Sequence, residues 1–540
     1  MGSFEIEVKE MSLQWFVSRS VPEDIAAIGK QLFRADNLYR QIGDRFDEFC
    51  PDEQEFALLY EPTGRGAIAP LLVALVTIFQ MMERVPDRQA AELVVSRLDW
   101  KYALHLPLLY TGFHFTDLYA FRVRLVEHGK ERLVFDQILA KLKALGLFKP
   151  RGKMRTDSTH LLGVVQRLSQ LELISECLRV AVRAVSLVAA SWVESCLPPA
   201  FCESYEERQS EFGMSDEKVK KRLQQVARDA FWFLAQVDGS APAEARELPE
   251  IETLRTVLSQ QFPQGPGGPP SKRPTGGDII ESPHETEARY ATKRGQSWIG
   301  YKLQVTETCD EERPHLITDV EVTAAHQNDS PQLLPIQERL EAQGTPPGEQ
   351  QVDQAYMSGE NLVKSAERGI ELMGKALEDT QSREGFRQGN FRIDEEAQQA
   401  VCPAGEKSNV WAVRQPPGQE RPAIQIRFPA EACRQCSFFG QCTTSRQGRS
   451  LTLHPYRAAL LARRQEAQTP QFQERLHLRA GIESTISEAV RGHGLRRARY
   501  RGKVKVRLQA YFTAAAMNLK RTIRWLTDPS LPEHFILSCC

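Results

Sequence analysis

Long hydrophobic runs are scarce in this chain. Of its 540 residues 41 % are hydrophobic, yet the most apolar stretch, Leu71–Met82, falls short of the about 20 residues a bilayer span needs. The acidic N-terminus has no apolar core of the kind a secretory signal carries. A soluble intracellular protein, with no membrane partner, is therefore expected. A disulfide framework is lacking as well. Eleven cysteines are few for this length; four cluster between 402 and 442, while the others, such as Cys50, Cys177, Cys309 and Cys539–Cys540, are scattered. That usage fits a reducing compartment. Nor is there an overall charge: 69 basic against 70 acidic residues leave a formal net charge of −1, so nothing about partners follows from the total. One local absence does carry information. No Asp or Glu occurs from Ala489 to Thr527, where Arg491, Arg496, Arg497, Arg499, Arg501, Lys503, Lys505 and Arg507 form a basic ribbon. A polyanionic backbone suits such a ribbon.

Length alone allows two to four packed cores. Residues 1–150 read as helical. Pro22 sits in the first turn of one amphipathic segment, and Pro70 opens a nearly all-apolar helix that Pro86 ends. Asp87 can cap a helix over Ala90–Leu104. Thr116 can cap another, with Leu118, Phe121, Leu125 and Val126 inward and Arg122 and Arg124 outward. Gly146 stops a further helix, Glu131–Leu145. Short helices with exposed Arg and Lys fit a DNA-binding module and a plain scaffold equally.

Lys153–His160 reads as a strand with Asp157 near its end, and a long helical pattern follows from Leu161 to about Cys196. A charged helix spans Asp216–Val237; Gln261–Gly277, dominated by Pro and Gly, is a linker or exposed loop. The loop Arg289–Arg294 (Arg289, Lys293, Arg294) can touch phosphates. In Trp298–Glu307, Ile299, Tyr301, Leu303 and Val305 alternate with Lys302, Gln304 and Thr306, a half-buried strand paired as a hairpin with Leu316–Val322. Gln350–Tyr356 is a third strand carrying Asp353; Ser358 starts a helix ending at Gly369, and Ile370–Gly374 is another strand. A final helix from Arg479 carries Glu483 at (i, i+4), with Ile482, Ile486 and Val490 facing a core. These elements imply an α/β fold with a mixed sheet.

Asp157, Asp353 and Glu483 lie far apart along the chain, and only a fold can gather them. Three ionised carboxylates crowd together only with a cation, and Mg²⁺ or Mn²⁺ with oxygen ligands resolves their repulsion. Two such ions can drive an in-line phosphoryl displacement. Seventy acidic residues allow many such triples, so spacing alone does not single this one out.

The blocks Arg-Thr-Asp157-Ser-Thr-His, Gln-Val-Asp353-Gln-Ala-Tyr and Arg479-Ala-Gly-Ile-Glu483, in that order, resemble the three catalytic blocks of the DDE transposases of bacterial insertion sequences. The segment from Glu287 to Lys302, followed by Thr306-Glu-Thr-Cys-Asp310, is similar to the hairpin this group carries between its two aspartates. The resemblance runs over nearly the whole chain. It implies an RNase H-like core binding two Mg²⁺ (or Mn²⁺) ions through Asp157, Asp353 and Glu483. Cleavage of transposon ends by water, then attack of the freed 3′-hydroxyl on target DNA, would follow. Where relatives place a Tyr before the Arg and a Lys after the Glu, this chain has Leu476 and Val490, with Arg491 one position beyond. Glu488 is a near neighbour of the third carboxylate but lacks the Arg-x-x-x-Glu context.

The domain division expected from this is 1–150, a helical DNA-end-binding domain; 151–163, the first part of the core; 164–279, a helical insertion and linker; 280–400, the second part of the core; 401–450, a Cys-rich insertion; and 451–540, C-terminal helices with Glu483 and the ribbon. The partners implied are double-stranded DNA, as terminal inverted repeats and target, and a second copy in a homodimer on DNA. The setting implied is the bacterial cytoplasm, at the nucleoid. Arg479 joins the ribbon as a DNA-binding residue. Cys402, Cys433, Cys436 and Cys442 supply four thiolates, enough for a structural, tetrahedral Zn²⁺. His160 can serve as a general base or as a packing residue, and packing is the better reading because metal-bound water needs no histidine. Trp298 can stack on a base, but a tryptophan opening a strand is usually core. Two further readings remain beside the transposase: an RNase H-like nuclease without strand transfer, and a catalytically inert zinc-containing DNA-binding protein.

Overall fold

A computed structural model describes residues 18–61, 66–265, 267–269, 276–293, 295–377, 384–415 and 422–528. The chain divides into two compact units. The first takes Met1–Lys149, Asp157–Gln327 and Ile482–Cys540, the second Pro150–Thr156 and Asn328–Gly481.

The core of the first unit is built on the helix Pro70–Glu83. Its proline stands at the first helical position, where the missing N–H goes unused, and every residue from Pro70 to Met82 is buried. A helix that is apolar all round must be covered on all sides. Among its covers is the helix Lys503–Leu526 from the other end of the chain, itself buried almost without interruption from Leu508 to Leu519. Phe79, Trp100, Phe121, Phe135, Tyr301, Val320 and Phe512 share this core. Four local expectations are corrected here. The helix expected over Ala90–Leu104 is two, Asp87–Ser96 and Leu98–Ala103, broken where Arg97 is extended. Asp87 is no cap: its carboxylate accepts from Gln80 Nε2 and Arg122 Nη2. Arg122, expected to face solvent, is only 5 % exposed, because that carboxylate neutralises it and the Tyr500 ring lies under its guanidinium. Thr116 begins its helix one residue inside the cap, which is Phe115.

A separate apolar cluster holds the helices Gln170–Val188, Asp216–Ser240 and Pro249–Gln261 together. Ser169 and Glu172 form a capping box at the start of the first. The continuous helix expected from Leu161 is therefore shortened at both ends: extended chain persists to Leu162, and the helical path breaks at Ala189.

Strand β1, Lys153–Leu162, supplies its first four residues to the second unit and the remainder to the first. In the first unit, β2 (Arg289–Lys293) and β4 (Ile317–Ala324) both pair antiparallel with β3 (Gln296–Thr308). The basic loop expected at Arg289 is thus a strand through Lys293; Arg294 lies outside the described residues. Where Gly163 N–H donates to Ile299 O, Gly300 has φ +151°, and a Cβ there would overlap Leu161 O. Only glycine fits that close approach. The expected alternation in β3 also fails, since Gln304, Thr306 and Glu307 are all buried.

Those polar groups are buried because they are paired. Glu307 Oε2 accepts from Thr485 Oγ1 (2.6 Å) and Arg521 Nη1 (2.8 Å), and Arg521 also reaches Thr485, Glu488 and His315 O. The node ties the strand, the helix carrying Glu483 and the C-terminal helix together.

In the second unit, β1 pairs in parallel with β5 (Glu349–Val352), and β5 with β6 (Glu371–Met373). Parallel neighbours need a crossover, and the helix Gly359–Glu367 provides it between β5 and β6, capped by Ser358 and followed by Gly369 at φ +67°. Further on, a hairpin of β7 (Arg392–Asp394) and β8 (Gln399–Val401) precedes three antiparallel strands, β9 (Val410–Arg414), β10 (Ala423–Arg427) and β11 (Ser450–Leu453). Their core is small: Phe391, Ala400, Ile426, Phe428, Leu451 and Leu453.

The Glu307–Arg521 node yields a stability test. Glu307→Ala removes one of the two carboxylates that hold the largely buried Arg521 guanidinium and takes the acceptor from Thr485; it should cost about 3 kcal/mol in denaturant unfolding, the low end for a broken buried pair because Glu488 remains, whereas Glu307→Leu with Arg521→Met should cost far less. Equal losses from the single and double variants would show that the pair is not coupled.

Candidate functional site

Asp157 is the fifth residue of β1, half-buried, its Oδ1 accepting the Ser158 N–H at 2.7 Å. The parallel register of β1 on β5 ends with Thr156 opposite Val352, so Asp157 and Asp353 are each the residue after the last registered pair. Asp353 is half-buried and stands at the cap of the short turn Gln354–Tyr356, where its side chain makes no capping hydrogen bond. Glu483 is the third residue of the helix Gly481–Ser487 and is exposed.

The continuous helix expected from Arg479 is three segments. Arg479 lies in a tight turn, His477–Ala480; the α-helical stretch follows; then Glu488–Gly492 winds as a π-helix. Such bulges often mark functional sites. Arg155, two residues before Asp157, is buried and donates from Nη1 to Leu478 O at 2.7 Å, and a Cβ on Gly481 would overlap its guanidinium. Arg155 thus pins the turn that leads to the Glu483 helix. Sequence reasoning passed over it; a strand arginine beside an aspartate was the available signal. Glu488, the rival third carboxylate, accepts from Arg521 Nε and Nη2 at 3.0 and 2.8 Å.

The basic ribbon is not uniform. Arg496 Nη1 donates to His160 O and to Thr159 Oγ1, and Arg499 Nη1 donates to Val85 O at 3.0 Å. Arg507 pairs with Glu131 and Glu321. Arg491, Arg497, Arg501 and Lys505 are exposed, and Lys503, half-buried, gives its backbone N–H to Glu287. Of the other basic candidates, Arg289 Nη1 donates to Thr286 O and Lys293 is exposed. His160 lies against Trp298, ring centroids 5.2 Å apart. Burial, then the positive charges of Arg496 and Lys293, hold its imidazole below the usual range. Trp298 is buried, donating from Nε1 to Tyr301 O.

Cys402, Cys433, Cys436 and Cys442 line one concavity of about 290 Å³. Burial pushes the Cys442 thiol up, Arg449 pulls against it, and the other three cysteines add to the rise. Backbone N–H groups of Arg449 and Phe438 point at Cys433 Sγ and Cys436 Sγ, at 3.4 and 3.5 Å. Among the described residues no group of three or more His, Cys, Asp or Glu is already arranged to hold a metal ion. Nor is any described helix long and apolar enough to cross a membrane.

Two family models match the chain. A transposase DDE domain matches residues 401–523, covering Glu483, the four cysteines and the ribbon, and a transposase domain, DUF772, matches residues 27–124, within the N-terminal helices. Asp157 and Asp353 fall outside both. No curated protein and no solved structure matches. The DDE family implies DNA as substrate and a general use of divalent metal ions. These two matches, in separate parts of the chain and each to a transposase domain, support a DDE transposase of the insertion-sequence type.

Proposed function

We propose that this protein cuts transposon ends and joins the freed 3′-hydroxyl to target DNA, with Asp157, Asp353 and Glu483 as its metal-binding carboxylates. The observation that carries this reading is the register of β1 on β5, which ends one residue short of both aspartates. An RNase H-like core is part of the proposal. It is supported by β1 lying beside the antiparallel β3–β4 pair in one unit and beside parallel β5–β6 in the other.

The donor set suits Mg²⁺ or Mn²⁺: three carboxylates, hard oxygen ligands, with no thiol or imidazole among them. When bound, two such ions neutralise the carboxylates and supply the activation of attacking and leaving oxygens that phosphoryl transfer needs. The chain's own groups do the positioning. The Ser158 N–H orients the Asp157 carboxylate; Arg155 fixes the turn before the Glu483 helix; and the Glu307–Arg521 node grips that helix through Thr485. Two copies, one per element end, complete the proposed assembly.

The Cys-rich part of the second unit we propose as a zinc-stapled element. Four thiols around one concavity are the right donors, and the core beside them is too small to fold it unaided. Binding would draw the thiols inward. Elemental analysis of purified protein should find about one zinc per chain, as four thiolates fill one tetrahedral site, and Cys433→Ser should lose it. Folded wild-type protein free of zinc would end the idea.

Asp157→Asn or Asp353→Asn should abolish cleavage and joining of a labelled transposon-end oligonucleotide, while end binding stays within several-fold. Variants that cut like wild type would overturn the carboxylate assignment, and cutting without joining by wild type would leave a nuclease. Within the ribbon, exposed Arg497 and Arg501 should contact phosphates. Changing both to Ala should lower the slope of log affinity against log salt by roughly 0.9 per lost contact. Arg496→Ala, whose guanidinium serves β1, should instead lower the melting temperature.

A further inference from the structure

In the second unit, a cleft of about 490 Å³ is lined by Lys375, Arg387, Arg457 and Arg464, by Gln354 and by four further side-chain amides. No carboxylate occurs among its described lining residues. Lys375 and Arg387 are exposed, and Lys375 has no ion pair among the described residues. Arg457 meets Glu395 at 3.7 Å, but that carboxylate is 61 % exposed, so the pair is weak in water. Arg457 Nε is buried without a hydrogen-bond partner. Arg464 is aimed by its Nε and Nη2 bonds to Leu377 O.

Four cations converging on one concavity repel one another unless an anion joins them. The amides add donors and acceptors of the kind that meet phosphate oxygens, sugars and base edges. The volume lies within the range of ligand sites, roughly 300–1,000 Å³. Gln354 directly follows Asp353, so whatever fills the cleft sits at the end of β5. We infer that the cleft is a phosphodiester-binding subsite that grips the DNA strand beside Asp353. The inference rests on the proposed reading of Asp353 as a residue acting on DNA, and it names where that strand is held.

The test uses the full chain with Mg²⁺ and Mn²⁺ withheld and no chelator added, so that cleavage does not enter and zinc stays in place. Lys375→Gln with Arg387→Gln is compared with wild type for binding of a duplex oligonucleotide across a salt series. Arg392→Gln with Arg427→Gln, exposed on the same unit outside the cleft, is the control. The cleft variant should bind several-fold more weakly, with a salt slope shallower by roughly 0.9 per lost contact; the control should match wild type. Lys375→Glu, a single exposed change, should shift affinity in the same direction and guards against a folding defect. Inorganic phosphate is the second probe and should bind weakly, since a strand presents several phosphates at once. Tight phosphate binding lost in the cleft variant, with DNA affinity unchanged, would make this a free-anion site and overturn the inference. DNA binding unaltered in both cleft variants would overturn it too, leaving the proposed chemistry intact. Wild type that binds DNA through the cleft but never cuts would sink the chemistry alone, and wild type that does not bind DNA would sink both.

Discussion

The parallel pairing of β1 with β5 is the constraint from which the rest of the second unit follows. It is locked by buried amides as much as by the backbone. Gln350 donates to Thr156 Oγ1 at 2.8 Å and accepts from Gln337, which in turn exchanges hydrogen bonds with Ser365 on the crossover helix. Each of these groups is buried, and a buried amide left without partners is costly. A slip of one residue would turn every side chain of β5 to the opposite face and break the whole set at once. Thr156 therefore has one place to sit, opposite Val352, and the residues that follow this pair inherit their positions from it.

The node around Glu307 plays the corresponding part in the first unit. Its three contributors come from β3, the Glu483 helix and the C-terminal helix. Satisfied polar networks in a low-dielectric interior are rigid, because each bond polarises the next and none can be released cheaply. A helix gains a fixed orientation from such an anchor, which Thr485 provides within the α-helical stretch, ahead of the π-helical turn that follows Ser487.

How much of this was legible in the sequence follows from how local each signal is. Ser358 and Gly369 delimit their helix because a cap and a left-handed glycine act within one turn, and the structure places both as expected. The β3–β4 hairpin was legible for the same reason. What misled was polarity read as exposure. Arg122 finds its carboxylate 35 residues away, and Arg499 finds Val85 O 414 residues away; neither partner is visible to periodicity. β3 shows the same failure: Gln304 and Thr306 alternate as the outward residues of a half-exposed strand would, yet both are buried. The three carboxylate blocks stood out by resemblance to a family, while geometry contributed Arg155, whose contact with Leu478 O no spacing rule anticipates.

The same reasoning divides the positive charge of this chain into two populations that composition cannot separate. One is consumed by the fold: Arg122, Arg496, Arg499, Arg507 and Arg521 each donate to a carboxylate or a carbonyl of the same unit. For these, removing the side chain leaves an acceptor within the fold without its partner, and the loss is one of stability. The other population, Arg497, Arg501, Lys505 and Lys375, is exposed. An exposed cation adds little to stability, but it holds counterions that a phosphate backbone displaces, and it can therefore contribute to binding. A near-zero net charge hides this division entirely. The total is silent about the second population because acids such as Glu131 and Glu307 are taken up in matching the first.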